Sequence, residues 1–151
     1  MELTEFKGET PLLVISNEAS EIPRMSRWLD AALRQHQVSK AQRFKFDLCA
    51  NEAVTNIIFY AFPDKGERQI LLELGVGEDE ISLLIEDDGV PFNPVEAPEH
   101  KKPSSLDDAP IGGLGIDLIR HYMDRCEYER SNNKNRLKLT SLKSNQAREK
   151  V

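Results

Sequence analysis

Two neighbouring runs of alternating apolar residues constrain the fold more than any other feature of this sequence. Side chains two positions apart lie on the same face of a β-strand, so each run predicts a strand with one buried face. The polar residues 77–79 between the runs predict a turn, and the two strands therefore form a hairpin. The apolar positions are Ile70, Leu72, Leu74 and Val76 in the first run and Ile81, Leu83 and Ile85 in the second.

The remaining segments predict three helices and three more strands. Apolar residues at helical spacing follow Ser20, with Pro23 in the first turn, and a second helix begins at Ser39 and ends before Pro63. Ser39 can cap that helix and Gln42 can return the bond, which is a capping-box pattern. Further predictions are strands near residues 12–15, 125–130 and 136–142 and a helix near 115–123. Together these elements predict an α+β two-layer sandwich, in which helices cover one face of a mixed, mostly antiparallel sheet.

Length and composition predict one domain that spans residues 1–151. The chain has 151 residues, 39% of them hydrophobic, which is enough for one core and too little for two. Its net charge of −6 and its scattered basic residues argue against nucleic acid or an anionic membrane as a partner. Cys49 and Cys126 lie within apolar patterns and match no disulfide or metal-ligand spacing, so they are predicted to be buried thiols. No apolar run approaches the roughly 20 residues that span a bilayer, and the predicted location is the cytoplasm.

The segment NEAVTNIIFYAF, residues 51–62, carries an acid and an amide four positions apart. At that spacing Glu52 and Asn56 lie one above the other on one helix face and point at the same object. An exposed polar stripe without any chemistry would have the same pattern. The pair is therefore a candidate site only if other features of the chain support it.

Asp87, in the segment IEDDG at 85–89, continues the series of residues that face the core from the second hairpin strand. A carboxylate there needs hydrogen-bond donors, because burying an unpaired charge costs on the order of several kcal/mol. One candidate donor is a ligand with an exocyclic amine, such as adenine, and Gly89 would let the backbone come close to it. The other interpretation is an ordinary turn, in which Asp87 and Asp88 cap backbone amides.

A glycine-rich turn leads into the third helix within IGGLGIDLIRHYM, residues 111–123. Such glycines let backbone amides converge on an anion, and the helix N-terminus adds its positive dipole end, a geometry that binds phosphate. A flexible hinge would explain the same glycines. The preceding residues 90–113 are rich in proline and charge and have little periodicity, which indicates a lid.

Taken in order, these three features resemble the GHKL ATP-binding superfamily, and within it the RsbW-type anti-sigma factor serine kinases. NEAVTNII matches the N box, EDDGVPFNP the first glycine box and GGLGIDLI the second, so the resemblance covers residues 11–142. It implies a two-layer sandwich of the Bergerat type, with an ATP lid at about residues 94–111. Residues 143–151, beyond the resemblance, are predicted to form a flexible tail. The chain departs from the family pattern at Tyr60, where related kinases often have histidine, and at Pro91, which replaces a glycine.

The resemblance also implies a role for each matching residue. Glu52 would be the general base, and Asn56 would bind ATP through a Mg²⁺ ion on its phosphates. Asp87 would accept a hydrogen bond from the adenine amino group, with Gly89 beneath the ring. The residues whose backbone amides would face the phosphates are Gly113, Leu114 and Gly115.

The function implied by the resemblance is that of an ATP-dependent protein serine/threonine kinase that acts as an anti-sigma factor. Such a protein phosphorylates a serine on an anti-anti-sigma antagonist of the STAS type, binds a sigma factor or similar regulator, and commonly forms a homodimer. Because no basic residue stands just before Gly113, the alternative is an ATP-binding partner-switch module without phosphotransfer. A histidine-kinase catalytic fragment fits less well, since the first 38 residues hold no dimerisation helix pair with a phospho-acceptor histidine.

Overall fold

The computed structural model describes residues 3, 6, 8–64, 66–93 and 113–143, with only the backbone described at 113–116. The ATP lid predicted at 94–111 and the tail beyond residue 143 lie outside the described residues. A single π-helical turn, Ile57–Ala61, follows the second helix directly. The helices and strands, in chain order, are β1 (Leu12–Ser16), α1 (Ile22–Gln35), α2 (Lys40–Asn56), β2 (Gln69–Val76), β3 (Glu80–Asp87), α3 (Gly113–Tyr122), β4 (Arg125–Ser131) and β5 (Lys134–Leu142).

The five described strands form one sheet in the order β1-β2-β3-β5-β4. The predicted hairpin is confirmed as β2–β3, in which Leu74 pairs with Leu83. The β4–β5 hairpin turns through Asn132 and Asn133, whose φ angles of 53° and 61° suit the two-residue turn that matches the twist of hairpin strands. Every pairing among the described strands is antiparallel, so the sheet lacks the parallel pair that a mixed sheet would contain.

The three helices pack on one face of this sheet, and the shared core confirms the predicted α+β two-layer sandwich. The inward residues of β2 and β3 are the alternating apolar positions from which the hairpin was predicted, because the side-chain period of a strand places them all on one face. The helices bury their apolar stripes against them. The fully buried large side chains of this layer include Met25, Leu29, Leu33, Phe46, Ile70, Leu72, Leu74, Ile81, Leu83 and Leu139.

The N-terminus of α2 differs from the predicted capping box. Ser39 does cap the helix, since its hydroxyl oxygen accepts a hydrogen bond of 3.2 Å from the Gln42 backbone N–H. The Gln42 side chain does not return the bond, because its amide group donates to Ser141 Oγ at 2.7 Å and to the Leu142 carbonyl at 3.2 Å. Gln42 therefore ties the start of α2 to the end of β5, a contact across about 100 residues that local spacing does not reveal.

The two cysteines differ in burial. Cys49 on α2 is buried, as predicted, and its burial raises the pKa of the thiol to about 12. Cys126 is only partly buried, because it lies on the edge strand β4, although the same effect raises its pKa to about 11. Both thiols are thus protonated at neutral pH, which makes them poor nucleophiles. Among the described residues, no helix combines the length and the apolar character that crossing a bilayer requires.

Candidate functional site

A cavity of about 140 Å³ opens between the C-terminal end of α2, the loop after β3 and the inner faces of β4 and β5. Its walls are mostly apolar. An apolar cavity of about 150 Å³ accommodates a benzene-sized ring, so this space suits a flat aromatic group. The apolar lining includes Ala53, Ile57, Ala61, Ile119 and Leu137, and the polar side chains that reach it are Asn56, Tyr60, Asp87, Tyr128 and Asn135.

Asp87 lies at the end of β3 with 5% of its surface exposed, facing the core as the alternation predicts. Its Oδ1 atom accepts two hydrogen bonds, from the Gly89 backbone N–H at 2.8 Å and from Asn135 Nδ2 at 3.0 Å. In the described part of the chain no donor bonds to Oδ2. One oxygen of Asp87 therefore caps the turn, as the second interpretation of IEDDG predicts, and the other could accept from a donor in the cavity. The bond from an adenine amine stays a prediction.

The environment of Asp87 makes its ionised form costly. Burial raises the pKa of the carboxyl above its usual range, and the bonds from Asn135 and Gly89 oppose that shift without cancelling it. Because the pKa is higher in the folded state, the stability that Asp87 contributes is fully present below its unfolded pKa. That stability is lost as the pH rises through the folded value. An amine donor that bonded to Oδ2 would favour the ionised form and recover part of this cost.

Asn135 holds Asp87 in place and was not found by sequence reasoning. It pairs with Asp87 across the β3–β5 ladder and is itself buried. One amide hydrogen goes to Asp87 Oδ1 and the other to the Val90 carbonyl at 2.9 Å, while Asn135 Oδ1 accepts from the Tyr128 hydroxyl at 2.5 Å. Since both N–H groups are engaged inside the protein, the amide cannot rotate toward a ligand without breaking these bonds.

A signal for Asn135 is present in the sequence. It begins the series Asn135, Leu137, Leu139, which faces the core from β5, so it is a polar residue at an inward position just as Asp87 is in β3. The local pattern does not show that Asn135 and Asp87 face each other. That depends on the β3–β5 register, which pairs these two residues although they are 48 positions apart in the sequence. Tyr128, one strand further, has no such signal, because β4 does not alternate cleanly.

Gly89 lies against the π-helical turn. A Cβ atom placed on Gly89 would lie 2.4 Å from the Ala61 carbonyl oxygen and 2.5 Å from Ala61 Cβ. The adjacent Val90 N–H donates to that same carbonyl at 2.9 Å, which fixes the loop against the turn. The structure therefore supplies a packing reason for glycine here, beside the predicted place beneath an adenine ring, which stays a prediction.

We expect Gly89→Ala to lower the free energy of unfolding by about 1–3 kcal/mol, because the added methyl group must displace backbone atoms of a packed turn. Urea unfolding monitored by circular dichroism measures this. Gly77→Ala is the matched control, since a Cβ there meets only the Glu80 carbonyl at an ordinary 3.5 Å. Equal stability of the two variants would show that the Gly89 contact is not tight in solution.

Asn56 and Glu52 share one face of α2, as predicted, but they relate differently to the cavity. Asn56 lines it, whereas Glu52 lies one turn earlier, about 6 Å along the helix axis, and is not part of its wall. Within the described residues neither side chain makes a hydrogen bond or an ion pair. Both are partly exposed and thus remain available to a ligand that extends out of the cavity along α2.

The glycine-rich segment forms the first turn of α3, which begins at Gly113 rather than near residue 115. Gly113, Leu114 and Gly115 therefore contribute backbone N–H groups to a helix N-terminus, where the first four amides lack intrahelical partners. Ile119, six residues after Gly113 and about 9 Å along the axis, lines the cavity. Helix α3 packs beside α2, so its N-terminus belongs to the same helical layer as Asn56. Phosphate contacts at these amides stay a prediction.

The described residues offer a metal ion few protein ligands at this site. In the described ranges no group of three or more histidine, cysteine, aspartate or glutamate side chains could hold a metal ion. A cation at Asn56 would thus take one amide oxygen from the protein and the rest of its ligands from phosphate oxygens and water. Mg²⁺ is commonly bound in that way, because it keeps several waters and demands few protein ligands.

Comparison with known proteins assigns the chain to a class that fits this fold and cavity. The family model described as histidine kinase-like ATPase domain matches residues 15–141, from β1 to β5. The chain therefore belongs to the histidine kinase-like ATPase family, and the resemblance seen in its three boxes is confirmed at that level.

Three relatives show which kinds of protein within this family the chain is similar to. The chain is 36% identical over 136 residues to the serine/threonine-protein kinase BtrW of Bordetella bronchiseptica, a match that covers 90% of this chain and 96% of the relative. It is 29% identical over 84 residues to an anti-sigma F factor of Clostridium perfringens, covering 56% of this chain and 60% of the relative. It is 26% identical over 86 residues to the serine-protein kinase RsbW of Bacillus velezensis, covering 54% of each chain.

Proposed function

We propose that this protein is an ATP-dependent protein serine/threonine kinase of the anti-sigma factor type. The observation that carries the proposal is the placement of two unpartnered polar groups at one cavity, Oδ2 of Asp87 deep inside and the amide of Asn56 on the α2 wall. The acceptor at the closed end of the cavity would bind the adenine end of ATP, and the metal-binding amide toward the outside would bind the phosphate end.

The adenine ring would occupy the closed end of the cavity. Ala53, Ile57 and Leu137 supply apolar surface for the ring faces, and Asp87 supplies the hydrogen-bond acceptor for the exocyclic amine. Asn135 holds the carboxylate through Oδ1, so that Oδ2 keeps its direction without help from the ligand. A guanine ring would place a carbonyl oxygen opposite Oδ2, and two acceptors repel. This arrangement favours ATP over GTP.

The phosphate end of ATP would lie beside α2 and the N-terminus of α3. Asn56 would hold Mg²⁺, and the free backbone amides of Gly113, Leu114 and Gly115 would bind phosphate oxygens. Bound Mg²⁺ neutralises charge on the phosphate oxygens. Glu52, one turn outward, would accept the proton of an attacking serine hydroxyl while the serine oxygen bonds to the γ-phosphorus and the bond to ADP breaks.

The family and its named relatives support a proposal for the protein substrate and the partners. The substrate would be a serine on an anti-anti-sigma antagonist with a STAS domain, and a sigma factor or similar regulator would bind when that antagonist is absent. The relatives named serine/threonine-protein kinase and anti-sigma F factor support these two roles. The protein would act in the cytoplasm, and a homodimer remains part of the proposal.

A partner-switch module without phosphotransfer is the second candidate function. It would use ATP only to change which protein it binds. The observation that favours it is the absence of a basic residue just before Gly113, whereas the presence of Glu52 opposes it. A binding module needs Asp87 and Asn56 but has no need for a general base.

The test is transfer of labelled γ-phosphate from ATP to STAS-domain proteins encoded in the same genome. We expect one of them to gain phosphoserine with release of one ADP for each phosphate transferred. If the protein binds ATP but labels none of them, and still changes its affinity for them when ATP is present, the partner-switch function is correct.

A further inference from the structure

A second groove lies on the outer surface of the helical layer, between α1 and the first half of α2. It has a volume of about 380 Å³ and is lined by Arg27, Asp30, Arg34, Lys40, Arg43 and Phe44, among others. The residues that α2 contributes to this groove lie near position 43. Those that α2 contributes to the nucleotide cavity begin at Ala53 and centre on Asn56, about 20 Å further along the helix. The two sites are therefore separate.

Ion pairs connect the two helices that line this groove. Asp30 on α1 binds Arg34 Nε at 2.7 Å through Oδ2 and Arg43 Nε at 3.0 Å through Oδ1. Arg43 also donates to the Val38 carbonyl at 2.7 Å, at the connection between the helices. The Asp30 carboxylate thus joins α1 to α2, and its pKa is lowered, since the bonds from the two arginines outweigh the opposing effect of burial.

Arg27 and Lys40 are the available charges of the groove. Both are exposed, and neither has an ion-pair or hydrogen-bond partner in the part of the chain that the structure describes. Four cationic side chains line the groove against two carboxylates, Asp30 and Asp47. This local positive character stands out on a chain whose net charge is −6.

Phe44 lies beside these charges and is 62% exposed, the largest exposure of any large apolar side chain among the described residues. It is not needed for the core, because α2 packs inward through Phe46, Cys49 and Ala50. One exposed phenylalanine is ordinary on a protein surface. Its position on the wall of a groove with two unpaired cations is what makes it a candidate contact.

We propose that this groove docks an acidic segment of a protein partner. Carboxylates of the segment pair with Arg27 and Lys40, and an apolar side chain of the segment covers Phe44. A nucleic acid is a poorer fit, because a polyanion gains affinity from many phosphate contacts, and this groove offers only Arg27 and Lys40 as unpaired cations, since Arg34 and Arg43 pair with Asp30. The docking goes beyond the nucleotide chemistry and does not depend on it.

The test uses a labelled helical peptide of about 15 residues with glutamates and leucines on one face, mixed with the 151-residue chain without nucleotide at low salt. Fluorescence anisotropy measures binding. We expect the peptide to bind about tenfold more tightly than a version with glutamine in place of each glutamate. Arg27→Glu, Lys40→Glu and Phe44→Ala should each weaken binding severalfold, and added salt should weaken binding to the wild type.

Two variants serve as matched controls. Lys134→Glu reverses another exposed lysine, which lies on β5 and pairs with Glu86, and Leu12→Ala removes an apolar side chain that is 54% exposed on β1. Both should bind the peptide like the wild type. Equal binding of the glutamate and glutamine peptides, no loss in the groove variants, or tighter binding of a 20-base-pair DNA duplex at Arg27 and Lys40 would each overturn the proposal. ATP affinity should be unchanged in the groove variants, which separates this test from that of the nucleotide site.

Discussion

Asp87→Asn should remove most of the ATP affinity and leave the fold intact. The amide can still accept the bonds from Gly89 and Asn135 through its oxygen, and it carries no charge to bury. Its NH₂ group then occupies the place of Oδ2 and faces the adenine amine, so a charge-assisted bond worth about 1.5–3 kcal/mol becomes a repulsion. We expect at least a 10- to 100-fold loss of affinity in calorimetric titration.

The same variant tests the electrostatic account of the site. Because burial raises the pKa of Asp87, the contribution of this residue to the stability of the wild type is lost as the pH rises from about 4, whereas the asparagine variant has nothing to titrate at this position. The unfolding free energy of Asp87→Asn relative to the wild type should therefore increase between pH 4 and pH 7. Asp79→Asn, at an exposed carboxylate in the β2–β3 turn, is the control and should alter neither quantity. Full ATP binding by Asp87→Asn would contradict the assigned orientation of adenine.

Glu52→Gln should abolish phosphotransfer and preserve ATP binding. A general base contributes about 10²- to 10⁴-fold to the rate, and glutamine keeps the shape of the side chain without accepting a proton. Glu52 makes no hydrogen bond or ion pair within the described residues and does not line the cavity, so neither stability nor ATP affinity depends on it. The measurement is the initial rate of labelled phosphate transfer at saturating ATP.

Glu78→Gln, in the exposed β2–β3 turn, controls for the loss of one negative charge. A rate within a few fold of wild type for Glu52→Gln would remove Glu52 as the base. Loss of ATP binding in that variant would instead show that Glu52 contacts the nucleotide, a role that its position one turn outside the cavity does not support.

The parts of the fold that follow from local periodicity were predicted from the sequence. Alternation placed Ile81, Leu83, Ile85 and then Asp87 on the helix-covered face, and all four are buried there. Strand periodicity is a property of the backbone, so it holds whatever the partner strand is. The spacing of Glu52 and Asn56 placed both on one face of α2 for the same reason, although only Asn56 reaches the cavity.

The parts that depend on distant pairing were not predicted. Asn135 acts on Asp87 only because β5 pairs with β3, and Gln42 leaves its expected capping bond because the end of β5 is within its reach. Gly89 is pressed against Ala61 because a π-helical turn ends α2, and local pattern gave no sign of that turn. In each case a contact between segments far apart in sequence overrides or supplements the local preference.

The central claim is that the cavity beside Asp87 binds ATP and that Asn56 connects it to Mg²⁺. Calorimetric titration of the wild type and Asn56→Ala with ATP, with and without Mg²⁺, tests it most directly. Asn51→Ala is the matched control, because Asn51 lies on the same helix and bonds Ser26 and Asp47 instead of lining the cavity. The account predicts Mg²⁺-dependent binding in the wild type and the control, and weakened, Mg²⁺-independent binding in Asn56→Ala. Absence of ATP binding in the wild type, or an unchanged Mg²⁺ dependence in Asn56→Ala, would contradict it.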